Sequence, residues 1–222
     1  IGSRGVFNPL MATIDSLPLF PLGLVLYPGE QLPLHIFEER YKDLTRYCLD
    51  HDVPFGIVLV DDGSLASTGT TARIQEVTNR YEDGRLDLLV HGEERFLVEQ
   101  VYQRKSYYTA DVTLRPETGE TVDPSLKERA ITQHMKLLEL AGRTVRPDLY
   151  RDEPRLSYVL AQNAGLDDEQ KQAVLELDHE SDRIAFLVDH FEQLIPRVEQ
   201  QGNLQRKIRS NGHFKDFPPE QV

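Results

Sequence analysis

The sequence is poor in cysteine and has no tryptophan: Cys48 is the one thiol in 222 residues. A single thiol excludes an intrachain disulfide and a zinc site made of four thiolates. Cysteine use this sparse is typical of a reducing compartment, so we expect a cytoplasmic location. Apolar runs are also short, and none approaches the roughly 20 residues of a membrane-spanning helix. We therefore expect no membrane partner.

Basic residues are scarce relative to acidic ones. The 25 Lys and Arg residues stand against 37 Asp and Glu, which gives a formal net charge of -12. Binding to nucleic acid depends on a positive field that displaces counterions from the phosphates, so we expect no nucleic-acid partner. With 39% hydrophobic and 28% charged residues, the composition is typical of a globular protein with one large domain or two modest ones.

Motifs that carry catalytic or cofactor chemistry are missing as well. None of the seven histidines belongs to a His-Glu-x-x-His pair, which would place two imidazoles on one helix face for zinc. No serine lies in a Gly-x-Ser-x-Gly turn, and neither a phosphate-binding loop nor a Gly-x-Gly-x-x-Gly motif occurs. We predict a non-enzyme with no catalytic residues, no metal site and no cofactor.

Two kinds of periodicity divide the chain near residues 116–123. Before this polar linker, short strand-like runs are separated by turn residues, and after it apolar residues recur at helical spacing. The predicted fold class is α+β, with a β-rich domain over 15–118 and a helical domain over 123–209. Residues 1–14 are expected to be a flexible tag or leader, and residues 210–222 a frayed tail.

Local patterns in the first domain predict a strand, a hairpin and a helix. Phe55–Val60 is a continuous apolar run that suits a strand buried on both faces. Asp83 and Gly84 separate two strand-like runs, which predicts a hairpin turn with positive φ. Apolar residues recur at three- and four-residue spacing over 38–49, so we expect a helix there, with Cys48 as an inert, core-facing thiol.

Prolines punctuate the start of this domain, at positions 18, 21, 28 and 33. Each lacks a backbone donor, so the segments that contain them can pair only at edges, bulges or corners. A flat central sheet is therefore not expected. A small, partly closed β-barrel is our first interpretation, and a pair of packed sheets is the second.

Capping residues mark the helices of the second domain. Asp123 as N-cap and Pro124 at the first helical position predict a helix over 124–141. Asp167 is the predicted cap of a later helix, and an apolar stripe that begins at Ile184 predicts a long final helix. Since such stripes must pack on neighbouring helices, the second domain is predicted to be a helical bundle.

Two long segments of the first domain resemble a known family. Leu17–Gly29 (LPLFPLGLVLYPG) and Leu32–Tyr41 (LPLHIFEERY) closely resemble the opening of the Lon protease N-terminal, substrate-binding domain, and His91–Phe96 (HGEERF) resembles a later strand of it. The resemblance implies a PUA-like β pseudo-barrel with one helix, followed by a C-terminal helical bundle. The sequence shows neither the ATPase module nor the serine-lysine protease domain of a full Lon, so the resemblance implies a stand-alone, non-catalytic, ATP-independent protein.

The motif positions that match this family have two interpretations, maintenance of the fold and direct contact with a ligand. These positions are Pro18, Phe20, Pro21, Pro28, Gly29, His35, Phe37, Glu38, Arg40, Tyr41, Gly92, Arg95 and Phe96. As fold residues, Pro28 and Gly29 would form a turn and Phe37 and Tyr41 would anchor the helix on the core. Glu38 would form an ion pair with Arg40 or Arg95.

The function that the resemblance implies is the binding of unfolded or extended polypeptide. A bound segment would add to a sheet edge or lie in the groove between domains. Leu17, Leu19, Leu22 and Leu24 form the expected peptide edge, because the prolines beside them leave backbone groups unpaired. A separate protease is a further expected partner. The alternative function is a small-molecule binder or enzyme that uses the barrel or interdomain cleft; the oligomeric state is left open.

Overall fold

In a computed structural model, the chain is described over residues 12–117, 119–151 and 153–211. The expected leader and tail lie largely outside these residues. Thr13 and Ile14, which the sequence analysis placed in the leader, are the first two residues of a strand, and residues 210 and 211 belong to the last helix. The expectation of a flexible leader that reaches residue 14 is therefore wrong at its last two positions.

Strands precede most of the helices, which confirms the α+β class. The strands are β1 (Thr13–Leu22), β2 (Gln31–Ile36), β3 (Phe55–Asp61), β4 (Ser64–Arg80), β5 (Leu86–Tyr102) and β6 (Thr109–Arg115). The helices are α1 (Glu39–His51), α2 (Pro124–Leu140), α3 (Leu156–Ala161), α4 (Asp168–Glu176) and α5 (Glu180–Asn211), with a 3₁₀ turn at Pro147–Tyr150. No helix within the described ranges combines the length and apolar character needed to cross a bilayer.

The six strands form one sheet in the order β2-β5-β4-β3-β1-β6, and β5 also pairs with β6. The strands β5, β4, β3, β1 and β6 therefore pair in a closed ring, and β2 is attached outside it through β5. Each ring strand thus has a neighbour on both sides over at least part of its length, whereas β2 keeps one side without a strand partner among the described residues.

The predicted hairpin joins β4 to β5. Gly84 has a φ of +81°, a conformation that costs a glycine little because it has no Cβ atom. The connection is longer than a two-residue turn: Tyr81 N donates to Arg85 O and Gly84 N donates to Tyr81 O, both at 3.0 Å. Asp83 Oδ2 accepts from Arg85 Nε at 2.7 Å and supports the turn from its own side chain.

The helix α1 covers one side of this ring with its apolar face. Tyr41, Leu44 and Cys48 of α1 are buried, and the Tyr41 ring stacks on Phe20 of β1 with 4.0 Å between ring centroids. Burial raises the pKa of the Cys48 thiol to about 12, as an inert, core-facing thiol requires. The predicted helix over 38–49 is confirmed to within two residues.

The chain divides into two compact units. Unit 1 holds the residues up to Glu120 together with Gly165–His179, and unit 2 holds Thr121–Ala164 with the residues from Glu180 onward. The sequence analysis placed α4 in a continuous helical domain over 123–209, but α4 belongs to unit 1. Its Gln172 donates from Nε2 to the carbonyl oxygen of Thr68 in β4, 3.1 Å away.

Unit 2 is built from α2, the 3₁₀ turn, α3 and α5. Asp123 caps α2 by accepting from Ser125 N, and Pro124 follows it as the capping pattern predicts. The interior of the unit contains a buried ion pair in which Arg183 Nη2 donates to Glu180 Oε2 at 2.9 Å. Ser157 N and Oγ donate to the same carboxylate, so its oxygens are well provided with donors.

Candidate functional site

The free side of β2 is the first feature of the site. Gly92 N donates to Glu30 O at 2.9 Å, which starts the ladder between β2 and β5. Backbone groups alternate in direction along a strand. The N–H and C=O groups of Leu32, Leu34 and Ile36 therefore point toward β5. The N–H and C=O groups of the intervening residues 31, 33 and 35 then point away from the sheet.

Pro33 occupies the centre of this free side. It lies opposite Leu89 in the register of β2 with β5, at a position where neither backbone donates across the pair. The N–H that Pro33 lacks would have pointed to the open side, so its absence costs no hydrogen bond with β5. A strand tolerates proline best at such a position. The edge consequently offers donors at Gln31 and His35 and carbonyl acceptors at all three positions.

Phe37 follows β2 directly. The expectation that it anchors the helix on the core is wrong. Its side chain is 60% exposed, the largest value among the large hydrophobic residues that the structure describes. The preceding Ile36 is only 1% exposed, and strand alternation turns the next side chain outward. Tyr41 supplies the core contact instead. Phe37 therefore presents an apolar ring to solvent at the end of the free edge.

Three rings form a surface cluster at this end, which we call the aromatic patch: His35, Phe37 and Tyr81. The His35 ring stacks on Phe37 with 6.0 Å between centroids, and it meets Tyr81 edge-on at 5.8 Å. Asp87 lies between two of them, because its carboxylate contacts His35 Nδ1 at 2.6 Å and accepts from Tyr81 Oη at 2.8 Å. These bonds lower the pKa of Asp87 and hold the rings in place.

Three ion pairs lie beside the aromatic patch. Arg40 Nη2 lies 2.8 Å from Glu38 Oε2, so Arg40 and not Arg95 is the partner of Glu38. Lys42 pairs with Glu39 at 2.8 Å, and Arg85 pairs with the Asp83 side chain at 2.7 Å. Part of the charge that borders the patch is therefore held in ion pairs.

Several other motif residues maintain the fold. Arg95 is 2% exposed and its Nη1 donates to the carbonyl oxygens of Leu175 and Leu177, while the Phe96 ring is fully buried. Pro28 and Gly29 form a turn in which Gly29 has a φ of +85°. Gly92 lies so close to Tyr27 that an added Cβ would stand 2.3 Å from its carbonyl oxygen.

The expected peptide edge on β1 is wrong. Leu17 and Leu19 are buried in the core, at 2% and 0% exposed, and Leu22 and Leu24 are half-buried. β1 has a strand on each side, since it pairs with β3 in parallel and with β6 in antiparallel register.

The two prolines of β1 mislead because each lies where one neighbouring strand is missing. Pro18 precedes the first pair with β3, which is Leu19 with Gly56. The pairing of β1 with β6 ends where Pro18 lies opposite Thr109, and Pro21 comes three residues after that point. A proline at such a position breaks no hydrogen bond of the sheet, so it does not mark an outer strand.

The sequence analysis missed Tyr81 and Asp87. Both belong to the hairpin that Asp83 and Gly84 predict, but their role depends on the register that places Asp87 opposite His35. Nothing local in the sequence carries that register. Within the described residues, no group of three or more His, Cys, Asp or Glu side chains could hold a metal ion.

Comparisons with known proteins agree on one family. The family model for the substrate-binding domain of ATP-dependent protease La (Lon) matches residues 16–193. The Lon protease of Brevibacillus choshinensis is 26% identical over 188 residues, which are 78% of this chain and 24% of that protein. The Lon protease of Escherichia coli K12 is 23% identical over 219 residues, 91% of this chain and 28% of that protein. This chain thus spans about a quarter of the length of these relatives.

Two solved structures share the fold. A Lon N-terminal domain protein from Xanthomonas campestris has a TM-score of 0.66 and 32% identity, with 79% of this chain and 98% of that chain covered. The N-terminal domain of a Mycobacterium avium complex Lon protease has a TM-score of 0.60 at 18% identity, with 80% and 98% covered, which is a likeness of fold alone. Together with the family match over most of its length, this shows that the chain belongs to the Lon substrate-binding domain family.

Proposed function

We propose that this chain binds extended, apolar polypeptide segments by adding them as a strand to the free edge of β2. The observation that carries the proposal is the coincidence of an unpaired strand side with the exposed ring of Phe37 at its end. Strand addition combines backbone hydrogen bonds, which tolerate any sequence, with side-chain contacts that select it. The family's substrate-binding role supports a polypeptide as the ligand.

The backbone of the edge suits a bound strand. Gln31 and His35 would each donate an N–H and accept at a C=O, and Pro33 would accept alone. A second copy of β2 centred on Pro33 would place each Pro33 carbonyl opposite a proline nitrogen that has no hydrogen to donate, which disfavours that pairing. The edge therefore favours a foreign segment over symmetric pairing of β2 with itself.

The side chains of the aromatic patch favour apolar segments. His35 and Tyr81 are held by Asp87, so little side-chain freedom is lost when a ligand covers them. The neighbouring charges are already paired, so binding at the patch gains from burial and depends weakly on salt. At the patch itself, a stretch in which apolar and small polar residues alternate fits best.

The test uses fluorescence anisotropy with a labelled, uncharged peptide of about twelve residues that alternates apolar and hydroxyl side chains. We expect the parent chain to bind it equally at about 50 mM and about 500 mM salt. Phe37→Asp should weaken binding at least about tenfold. The matched control is Leu149→Asp, which places the same charge on another exposed apolar residue, 47% exposed and in unit 2. A parent that ignores the peptide, or a folded Phe37→Asp chain that binds it normally, contradicts the proposal.

The proposal includes two statements on activity and fold. The chain is a non-catalytic binding module, so incubation with labelled casein, with and without ATP, should release no fragments. Release of casein fragments by the parent chain, abolished by a point substitution in it, would contradict that statement. The closed ring of unit 1 is proposed as the PUA-like pseudo-barrel of the family and unit 2 as a helical bundle, supported by the pairing of β5 with β6 and the packing of α2 on α5.

A further inference from the structure

A cleft of about 590 Å³ lies within unit 1, between the end of β3 and the outer face of α4. Leu59, Val60 and Asp61 line it from β3, and Gly23 lines it as well. From α4 it is lined by Asp168, Glu169, Gln172, Ala173 and Glu176. The volume is in the range of sites that bind small ligands.

The lining of this cleft carries charge of one sign. Four of its nine residues are carboxylates, namely Asp61, Asp168, Glu169 and Glu176, and none is Lys or Arg. Lys171 pairs with Asp168 from the rim at 3.3 Å. Asp61 and Glu169 take part in no ion pair among the residues that the structure describes. In contrast to the aromatic patch, this cleft therefore has an uncompensated negative charge.

Helix stability accounts for only part of this charge. Asp168 and Glu169 lie in the first turn of α4, where the helix dipole favours carboxylates. Glu176 is the last residue of α4, where the dipole disfavours a carboxylate, and Asp61 belongs to a strand. The helix dipole therefore does not account for the charge of these two side chains.

Gln172 gives a second indication of a missing partner. It is 9% exposed, and its Nε2 donates to Thr68 O at 3.1 Å and to Glu176 Oε1 at 2.8 Å. Its Oε1 is buried and accepts no hydrogen bond from any described residue. A buried carbonyl oxygen without a donor is costly, and Gln172 is itself one of the residues that line the cleft. The wall of the cleft thus holds an acceptor beside carboxylates.

The shape and lining indicate an organic cation as the occupant. The carboxylates do not converge as a metal-ligand group within the described part of the chain. Leu59 and Val60 instead provide an apolar wall on which the methylene stem of an arginine or lysine could pack, with the charged head at the carboxylates. We propose that the cleft binds a basic side chain of a client polypeptide. This inference rests on the proposed function and specifies its ligand: segments that carry a basic residue among apolar ones.

Two peptides that differ in one residue test this inference. Both have the alternating, otherwise uncharged sequence used above, and the central residue is Arg in one and Gln in the other. We expect the parent chain to bind the Arg peptide at least about tenfold more tightly at about 50 mM salt, with a smaller difference at about 500 mM, because salt screens exposed charges. The combined Asp61→Asn and Glu176→Gln variant should lose this preference and still bind the Gln peptide like the parent.

A matched control removes two exposed carboxylates from unit 2, through Glu128→Gln and Asp189→Asn, and should keep the preference. The cleft proposal is overturned if the parent binds both peptides equally, or if the cleft variant still prefers the Arg peptide. If the parent binds neither peptide, the proposed function fails and this inference fails with it. Binding of the Gln peptide without a gain from Arg contradicts the cleft alone.

Discussion

Arg95 in β5 donates from Nη1 to the carbonyl oxygen of Leu175 in α4, 3.1 Å away and 80 residues later in the chain. The same nitrogen donates to Leu177 O at 3.0 Å, so one buried guanidinium satisfies two carbonyl groups at the C-terminal end of α4. A cation at this end also complements the helix dipole. Arg95 therefore fixes α4 within unit 1 and, with it, one wall of the acidic cleft.

Replacing Arg95 tests this role. Arg95→Met should lower the free energy of unfolding by about 3 kcal/mol, because the helix carbonyls lose a charged donor and the partly buried pair with Glu117 is broken. Hydrogen exchange should show faster exchange in α4 than elsewhere in unit 1. Arg115→Met is the control: its contact with Asp178 is partly exposed, so the cost should stay below about 1 kcal/mol. Equal costs for the two variants would contradict the role of Arg95.

The two phenylalanines at positions 20 and 37 should differ in their contribution to stability. Phe37→Ala should change the unfolding free energy by less than about 0.5 kcal/mol, since the ring is mostly exposed. Phe20→Ala removes a buried ring stacked on Tyr41 and should cost about 3 to 5 kcal/mol. Urea denaturation of both variants measures the difference, and a large loss in Phe37→Ala would place its ring in the core.

Gly92 should not tolerate a side chain. Gly92→Ala places a methyl group 2.3 Å from Tyr27 O, and the resulting backbone shift should cost about 1 to 3 kcal/mol. Gly23→Ala is the matched control, because an added Cβ there has no atom within 4 Å. Thermal melts compare the two variants with the parent. Equal melting temperatures for all three would mean that β5 can move away from the turn at Pro28.

The buried His134 should make unit 2 less stable in mild acid. Burial lowers its pKa to about 4, against about 6.5 in an unfolded chain. The unfolded state therefore binds more protons between these values, and stability falls as the pH drops through this window. Between pH 7 and pH 5 the linked loss is about 2 kcal/mol.

His134→Phe is the variant that checks this pH dependence. It forfeits the hydrogen bond with Tyr150 Oη, so its unfolding free energy should be lower than the parent's at pH 7. The difference between pH 7 and pH 5 should nevertheless shrink, because no histidine titrates at that position. Chemical denaturation of both chains at the two pH values gives the measurement. An undiminished difference in the variant would assign the pH dependence to other groups.

Local patterns of the sequence predicted the elements whose causes are local. The caps at Asp123 and Asp167, the glycine turn at Gly84, the buried run of β3 and the apolar face of α1 all appear in the structure. Each depends on hydrogen bonds or side-chain spacing within a few residues. The family resemblance added the expectation of a polypeptide-binding domain.

Tertiary structure alone decided which strand is free, which ring is exposed and where α4 belongs. β1 carries two prolines and resembles an edge, but its parallel pairing with β3 and its contact with β6 join residues far apart in the chain. The register of β2 with β5 brings Asp87 next to His35. The hydrogen bond of Arg95 with Leu175 O attaches α4 to unit 1, although α4 lies among helices in the sequence. The sequence by itself determined the elements and their buried faces, because these depend on neighbours in the chain. The aromatic patch and the acidic cleft exist only through long-range pairing, which no local pattern encodes.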